Sequence, residues 1–142
     1  MNNISIGNSG EYFVAGELER RGLTAAVPMS NTKDFDILAI NRDNNKQFAI
    51  QVKTTTKTNW LLSKKNEDLV GDNIIYVLVK LNGLESPEYH IVPSKIIAKE
   101  LKKSHQSWLK ELGKNGQSHN DNPMRVFYDL DNKYLNKWDY FN

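Results

Sequence analysis

Apolar positions along the chain repeat with two periods, and these divide it into helices and strands. In residues 10–21, Val14, Ala15 and Leu18 recur at helical spacing while Glu17, Glu19, Arg20 and Arg21 take other faces; an amphipathic helix ended by Gly22 is predicted. Residues 23–27 read as a short strand leading to Pro28, and residues 29–35 as a polar, turn-like stretch. Residues 36–40 and 47–54 form a predicted hairpin around Asn41-Arg42-Asp43-Asn44-Asn45. In its second strand Phe48, Ile50 and Val52 point one way, and Ala49, Gln51 and Lys53 the other. The β-branched run 74–81 predicts a buried central strand, with 89–92 as its antiparallel neighbour across a turn at Gly83 and Pro87. A second helix is expected over 93–112, opened by Pro93-Ser94 and closed by Gly113. A polar loop expected to be mobile over 114–123 and a strand over 124–130 follow, then an aromatic tail of Tyr134, Leu135, Trp138 and Phe141 that should dock on the body. The order helix, strands, helix indicates an α/β sheet flanked by helices.

Composition narrows this picture. A chain of 142 residues, 39% hydrophobic and 25% charged, is that of an ordinary globular protein, and one domain over 1–142 is expected. With no cysteine there is neither a disulfide nor a thiolate zinc site, and His90, His105 and His119 lack the short spacing of a histidine metal cluster. Any metal must therefore sit on oxygen ligands. No segment has signal-peptide or membrane-spanning character, so a soluble cytoplasmic protein without a membrane partner is expected. The net charge of +2 is weak support for an anionic partner. Local clusters matter more: Lys53, Lys57, Lys64 and Lys65, then Lys95, Lys99, Lys102, Lys103 and Lys110, form either phosphate-neutralising or merely solvated faces.

The segment DFDILAINRDNNKQFAIQVKTT, residues 34–55, carries the chemistry. Gln51 and Lys53 lie two apart on one strand and share a face, and the hairpin can bring Asp36 beside them. A carboxylate, an amide oxygen and an ammonium would then converge. Oxygen ligands suit a hard cation such as Mg²⁺, which polarises a phosphate and a bound water, while a lysine stabilises developing charge; the set suits phosphodiester hydrolysis. Singly, each residue also has a plain reading, Asp36 as a turn residue and Gln51 and Lys53 as the wet face of an amphipathic strand. Thr54, Thr55 and Thr56 are hydroxyls suited to phosphate contacts, or simply strand formers.

Gly10-Glu11 on the first helix, Asp36-Ile37, and I-Q-V-K-T-T over residues 50–55 resemble the PD-(D/E)XK nucleases, particularly the small branch similar to archaeal Holliday junction resolvases. The resemblance is strongest over residues 7–60 and extends through residues 74–81, I-V-P-S at 91–94 and Trp138-Asp139. It implies a restriction-endonuclease-like mixed central β-sheet flanked by α-helices, and a Mg²⁺- or Mn²⁺-dependent endonuclease acting on DNA, branched or modified DNA included, as a homodimer. It also implies Asp36 as the main metal ligand, Lys53 as the residue that orients or activates the attacking water, and the Val52 carbonyl as a backbone ligand. The position of Gln51 is usually Glu or Asp. A neutral amide there removes one negative charge, and the alternative is a nuclease-fold protein that binds nucleic acid without cutting, or an accessory domain. The nucleic-acid contacts would come from Thr54, Thr55, Lys57, Lys64 and Lys65.

Glu11 stands out physically. Val14, Ala15 and Leu18 lie three, four and seven residues on, which puts its carboxylate on the core-facing stripe, where a charge needs a partner. Either Asn8 caps the helix and Glu11 completes a capping box, or Glu11 helps bind the metal or its water as the matching family residue does. Glu17 and Asp34 are competitors for such roles. Trp60 is a packing residue or a base-stacking one, and His105 and Trp108 are expected to share a helix face.

Overall fold

The computed structural model describes residues 1–28 and 35–142. Helix α1 (Asn3–Arg20) precedes β1 (Leu23–Ala26), β2 (Ile37–Asn41), β3 (Gln47–Thr55) and β4 (Asn59–Ser63). After a 3-10 turn (Lys64–Glu67) come β5 (Ile74–Asn82), β6 (Glu85–Pro93), helix α2 (Ser94–Lys110), β7 (Met124–Tyr128) and a last 3-10 turn (Trp138–Phe141). Among the described residues, five strands form one mixed sheet in the order β1-β2-β3-β5-β6, in which only the β3–β5 pairing is parallel. The other two, β4 and β7, pair antiparallel in a separate ribbon.

The sheet has a core on each side. Val14 and Leu18 of α1 pack with Ile37, Ile50, Val52, Val77 and Val79 on one face. Tyr76, Leu78 and Val92 on the other pack under Ile97 and Leu101 of α2 and under Trp60, Leu62 and Phe127 of the ribbon. β5 is central because its residues 75–79 are buried on both faces, as a continuous β-branched and aromatic run allows. The fold is thus the expected α/β sheet flanked by helices.

Several expectations need correcting. α1 starts at Asn3, a full two turns before residue 10, because Asn2 caps it: the Asn2 side chain accepts from Ser5 N at 2.8 Å. The run I-S-I-G-N-S-G hides this helix, since its glycines, serines and asparagine are weak helix formers; Ile6 packing on the core offsets that. With Asn2 as the cap, Glu11 lies mid-helix, and the capping box with Asn8 falls away. The strand β4 was not anticipated: its five residues alternate Trp60 and Leu62 inward with Leu61 outward, too short a pattern to stand out. Trp60 is a packing residue, 2% exposed, with its indole N–H donating to Val79 O at 3.0 Å. α2 stops at Lys110, ahead of the expected end at residue 112. The loop over 114–123 is tied to α2 by His119 stacked on Trp108 at 4.1 Å and by His105 Nε2 against Asp121 Oδ1 at 2.7 Å. The expected turn over residues 29–35, and Asp34 with it, lies outside the described residues except for Phe35. The aromatic tail docks as expected: Trp138 and Phe141 are buried, and the Phe141 carbonyl accepts from Asn41 Nδ2 at 2.9 Å.

Candidate nuclease site

The β2–β3 ladder is where the candidate residues meet. Backbone N–H and C=O groups of successive strand residues point to opposite neighbours. Ala49 N donates to Asn73 O, so odd-numbered residues of β3 bond toward β5; Ile50 O accepts from Asp36 N at 2.9 Å, so even-numbered ones bond toward β2. Register pairing on the β2 side ends at Ile37 with Ile50, and the chain bends at Asp36. Val52 N, next in line on that side, is taken instead by the Asp36 carboxylate, Oδ2 at 2.8 Å. That bond holds the carboxylate roughly in the plane of the sheet, in the space beside β3 where β2 has ended. The Val52 carbonyl points toward the same space as its N–H. Asp36 Oδ1 takes no hydrogen bond among the described residues.

Gln51 and Lys53 stand beside Tyr76 and Leu78 in the parallel register, so both side chains emerge on the face that carries α2 and the ribbon. Both are half-buried. Glu11 approaches from the α1 side. Burial, and secondly the negative charge of Asp36, raise its pKa above the ordinary 4.5. Glu11 and Asp36 are thus near enough for the charge of one to act on the other, while Gln51 and Lys53 share one face of β3. Neither carboxylate is in an ion pair among the described residues.

Thr54 and Thr55 take different places from those expected. Thr54 Oγ1 is buried without a hydrogen-bond partner among the described residues, pressed on Gly10 of α1, so this hydroxyl faces the helix rather than solvent. Thr55 Oγ1 accepts from Lys57 N at 3.1 Å and shapes the turn after β3. Lys57, Lys64 and Lys65 are exposed. The 3-10 turn bearing Lys64 and Lys65 is anchored on the sheet face that carries Gln51 and Lys53: Asn66 Nδ2 donates to Tyr76 Oη at 2.8 Å, and Tyr76 is the register partner of Gln51. Arg125 of β7 fixes the same turn from below through Glu67, at 2.6 Å. Glu17 is committed to Arg20 and Arg21, which leaves it out of the site. A groove of about 550 Å³ between α2 and β7, with His105, Trp108, Met124 and Tyr128 in its lining, includes none of Glu11, Asp36, Gln51 and Lys53.

The Glu11 shift has a measurable consequence. A carboxyl whose pKa is raised by folding binds its proton more tightly in the native state, so its contribution is fully present below the ordinary 4.5 and is lost as pH rises through the folded value. Glu11→Gln is expected to melt above wild type at pH 7, with the gap closing below about pH 4.5. Thermal melts of both proteins between pH 4 and 7.5 would show it; a constant gap would mean that Glu11 bears no unfavourable charge.

No protein-family profile matches the sequence, and no curated protein matches it. Among solved structures, the chain is similar to Archaeoglobus fulgidus Hjc, a Holliday junction resolvase from an archaeal hyperthermophile, with a TM-score of 0.51 and 15% identity, covering 87% of this chain and 84% of that one. The likeness shows a nuclease-like fold shared by most of both chains.

Proposed function

We propose that the chain is a divalent-cation-dependent endonuclease acting on DNA, with branched DNA as its favoured substrate class. What supports this reading is the pair Glu11 and Asp36: the negative charge of Asp36 acts on Glu11, neither carboxylate has a cationic partner among the described residues, and the Val52 carbonyl opens on the space beside Asp36, with Gln51 the preceding residue of the same strand. Such a cluster is unfavourable by itself and becomes favourable around a hard cation. The donor set, all oxygen, fits Mg²⁺ or Mn²⁺. When bound, the cation would neutralise a phosphate oxygen and lower the pKa of a coordinated water.

The chain's own groups supply the rest. Asp36, fixed through Val52 N, holds its free oxygen toward the site without a rotamer search. Lys53 on the neighbouring face offers an ammonium to the phosphoryl oxygens as charge builds during in-line attack by water. Lys57, Lys64 and Lys65 are exposed cations for flanking phosphates. A homodimer, as the resemblance implies, would present two such sites to a two-fold symmetric junction.

The second reading, a nuclease-fold protein that binds nucleic acid without cutting or serves as an accessory domain, is favoured by Gln51. With a neutral amide there, the site holds two carboxylates, and Mg²⁺ should keep most of its water. Gln51→Glu restores a charge at unchanged length, and Mn²⁺ affinity by calorimetry is expected to rise about tenfold, or about 1.4 kcal/mol. Cleavage of four-way, duplex and single-stranded DNA should persist in this variant at lower metal concentration. If neither wild type nor Gln51→Glu cuts any of these in Mn²⁺ while both bind one, the non-cutting reading stands.

A further inference from the structure

Helix α2 buries Ser94, Ile97, Ala98 and Leu101. Lys95, Lys99, Lys102, Lys103 and Lys110 recur at helical spacing on the sides turned away from that stripe, and all five are exposed. Lys95 is bridged to the exposed Asp72 at 2.7 Å; the other four make no ion pair among the described residues. Over the whole chain lysine and arginine exceed aspartate and glutamate by only two, so four unpaired cations on one face are a local concentration. From Lys95 to Lys110 the stripe runs about 22 Å at 1.5 Å per residue. It lies in the layer on the sheet face from which Gln51 and Lys53 emerge, and in this layer the turn bearing Lys64 and Lys65 also sits.

We infer that the outer face of α2 is a second phosphate-tracking surface, which engages the nucleic-acid backbone beyond the segment at the Asp36 site. This rests on the reading of the chain as acting on DNA. A lysine ammonium is a point charge that neutralises phosphate without reading sequence, and counterions released from the polyanion supply the affinity. The stripe spans about six base pairs of a duplex at 3.4 Å each, so it adds to binding only where the DNA is long enough to reach both surfaces.

The test is the full chain with Lys99, Lys102, Lys103 and Lys110 all changed to Gln, a substitution that keeps helix propensity. Binding to a 40-base-pair duplex and a four-way junction with long arms is measured from 50 to 300 mM salt, with circular dichroism to verify the helix. The slope of log affinity against log salt is expected to become shallower by about 3 to 4. An unchanged slope in a folded variant overturns the inference, as does wild-type binding to anionic vesicles but not to DNA. Cleavage of the four-way junction in Mn²⁺ by the same variant separates the two ideas. If it cuts while the slope is unchanged, only the α2 surface is wrong; if the slope falls but neither variant nor wild type cuts, only the nuclease reading is.

Discussion

Gly10→Ala is expected to destabilise the protein by about 1–2 kcal/mol or more, against the usual effect of this substitution inside a helix. Alanine gains about 1 kcal/mol over glycine from helix propensity alone. Here, however, a Cβ at position 10 would overlap Thr54 Oγ1 and approach Thr54 Cβ to 2.9 Å and Cγ2 to 3.0 Å. Forcing a methyl into a well-packed contact costs about 1–3 kcal/mol, and overlap of this depth belongs at the upper end or beyond. α1 must then move off β3. Glu11 is the next residue, so the same displacement would shift its carboxylate away from Asp36. Two readouts follow: a lower melting temperature, and a smaller rise in melting temperature on adding Mn²⁺. Thr54→Ala should cost little alone, because the hydroxyl it removes is buried and unpaired. In the double variant only the 2.9 Å approach of the Thr54 Cβ remains, and part of both losses should return, with a coupling energy of about 1 kcal/mol or more. Strict additivity of the two substitutions would mean that Gly10 is not the spacer between helix and strand.

Asp36→Asn should lower cleavage about a thousandfold or more while leaving the fold close to intact. The amide keeps an oxygen that can accept from Val52 N in place of Oδ2, so the bend at the start of β2 survives. What disappears is one of the two carboxylates proposed to hold the cation, and a hard cation's affinity follows ligand charge. Asp36→Ala is a poorer test, since it also leaves Val52 N unpaired at a cost of about 1–3 kcal/mol, which mixes lost structure with lost chemistry. The Asn variant also removes the charge that raises the Glu11 pKa, so burial alone should hold that value up. Single-turnover cleavage, Mn²⁺ calorimetry and a thermal melt on one preparation check all three points. Activity within tenfold of wild type would remove Asp36 from the chemistry.

How much of this was legible beforehand depended on the range of each interaction. The hairpin of β2 and β3, the central β5 with its neighbour β6, and both helices are local patterns, set by side-chain periodicity and turn residues within a few positions of one another, and the sequence alone determines them. That Gln51 and Lys53 share one face of β3, and that Asp36 heads the strand paired with it, was legible for the same reason, since a short turn fixes which residues of two strands are opposite. What tertiary structure decided is everything that rests on distant partners. The early start of α1 depends on Ile6 finding the core, and Gly10 is required by a contact with a residue 44 positions on. β4 exists because β7, more than 60 residues later, pairs with it, and the fate of the threonines turns on which one α1 covers. No local period records such contacts: the sequence carries the propensity of each segment, while the partner that satisfies its hydrogen bonds and buries its apolar face is chosen only when the whole chain packs.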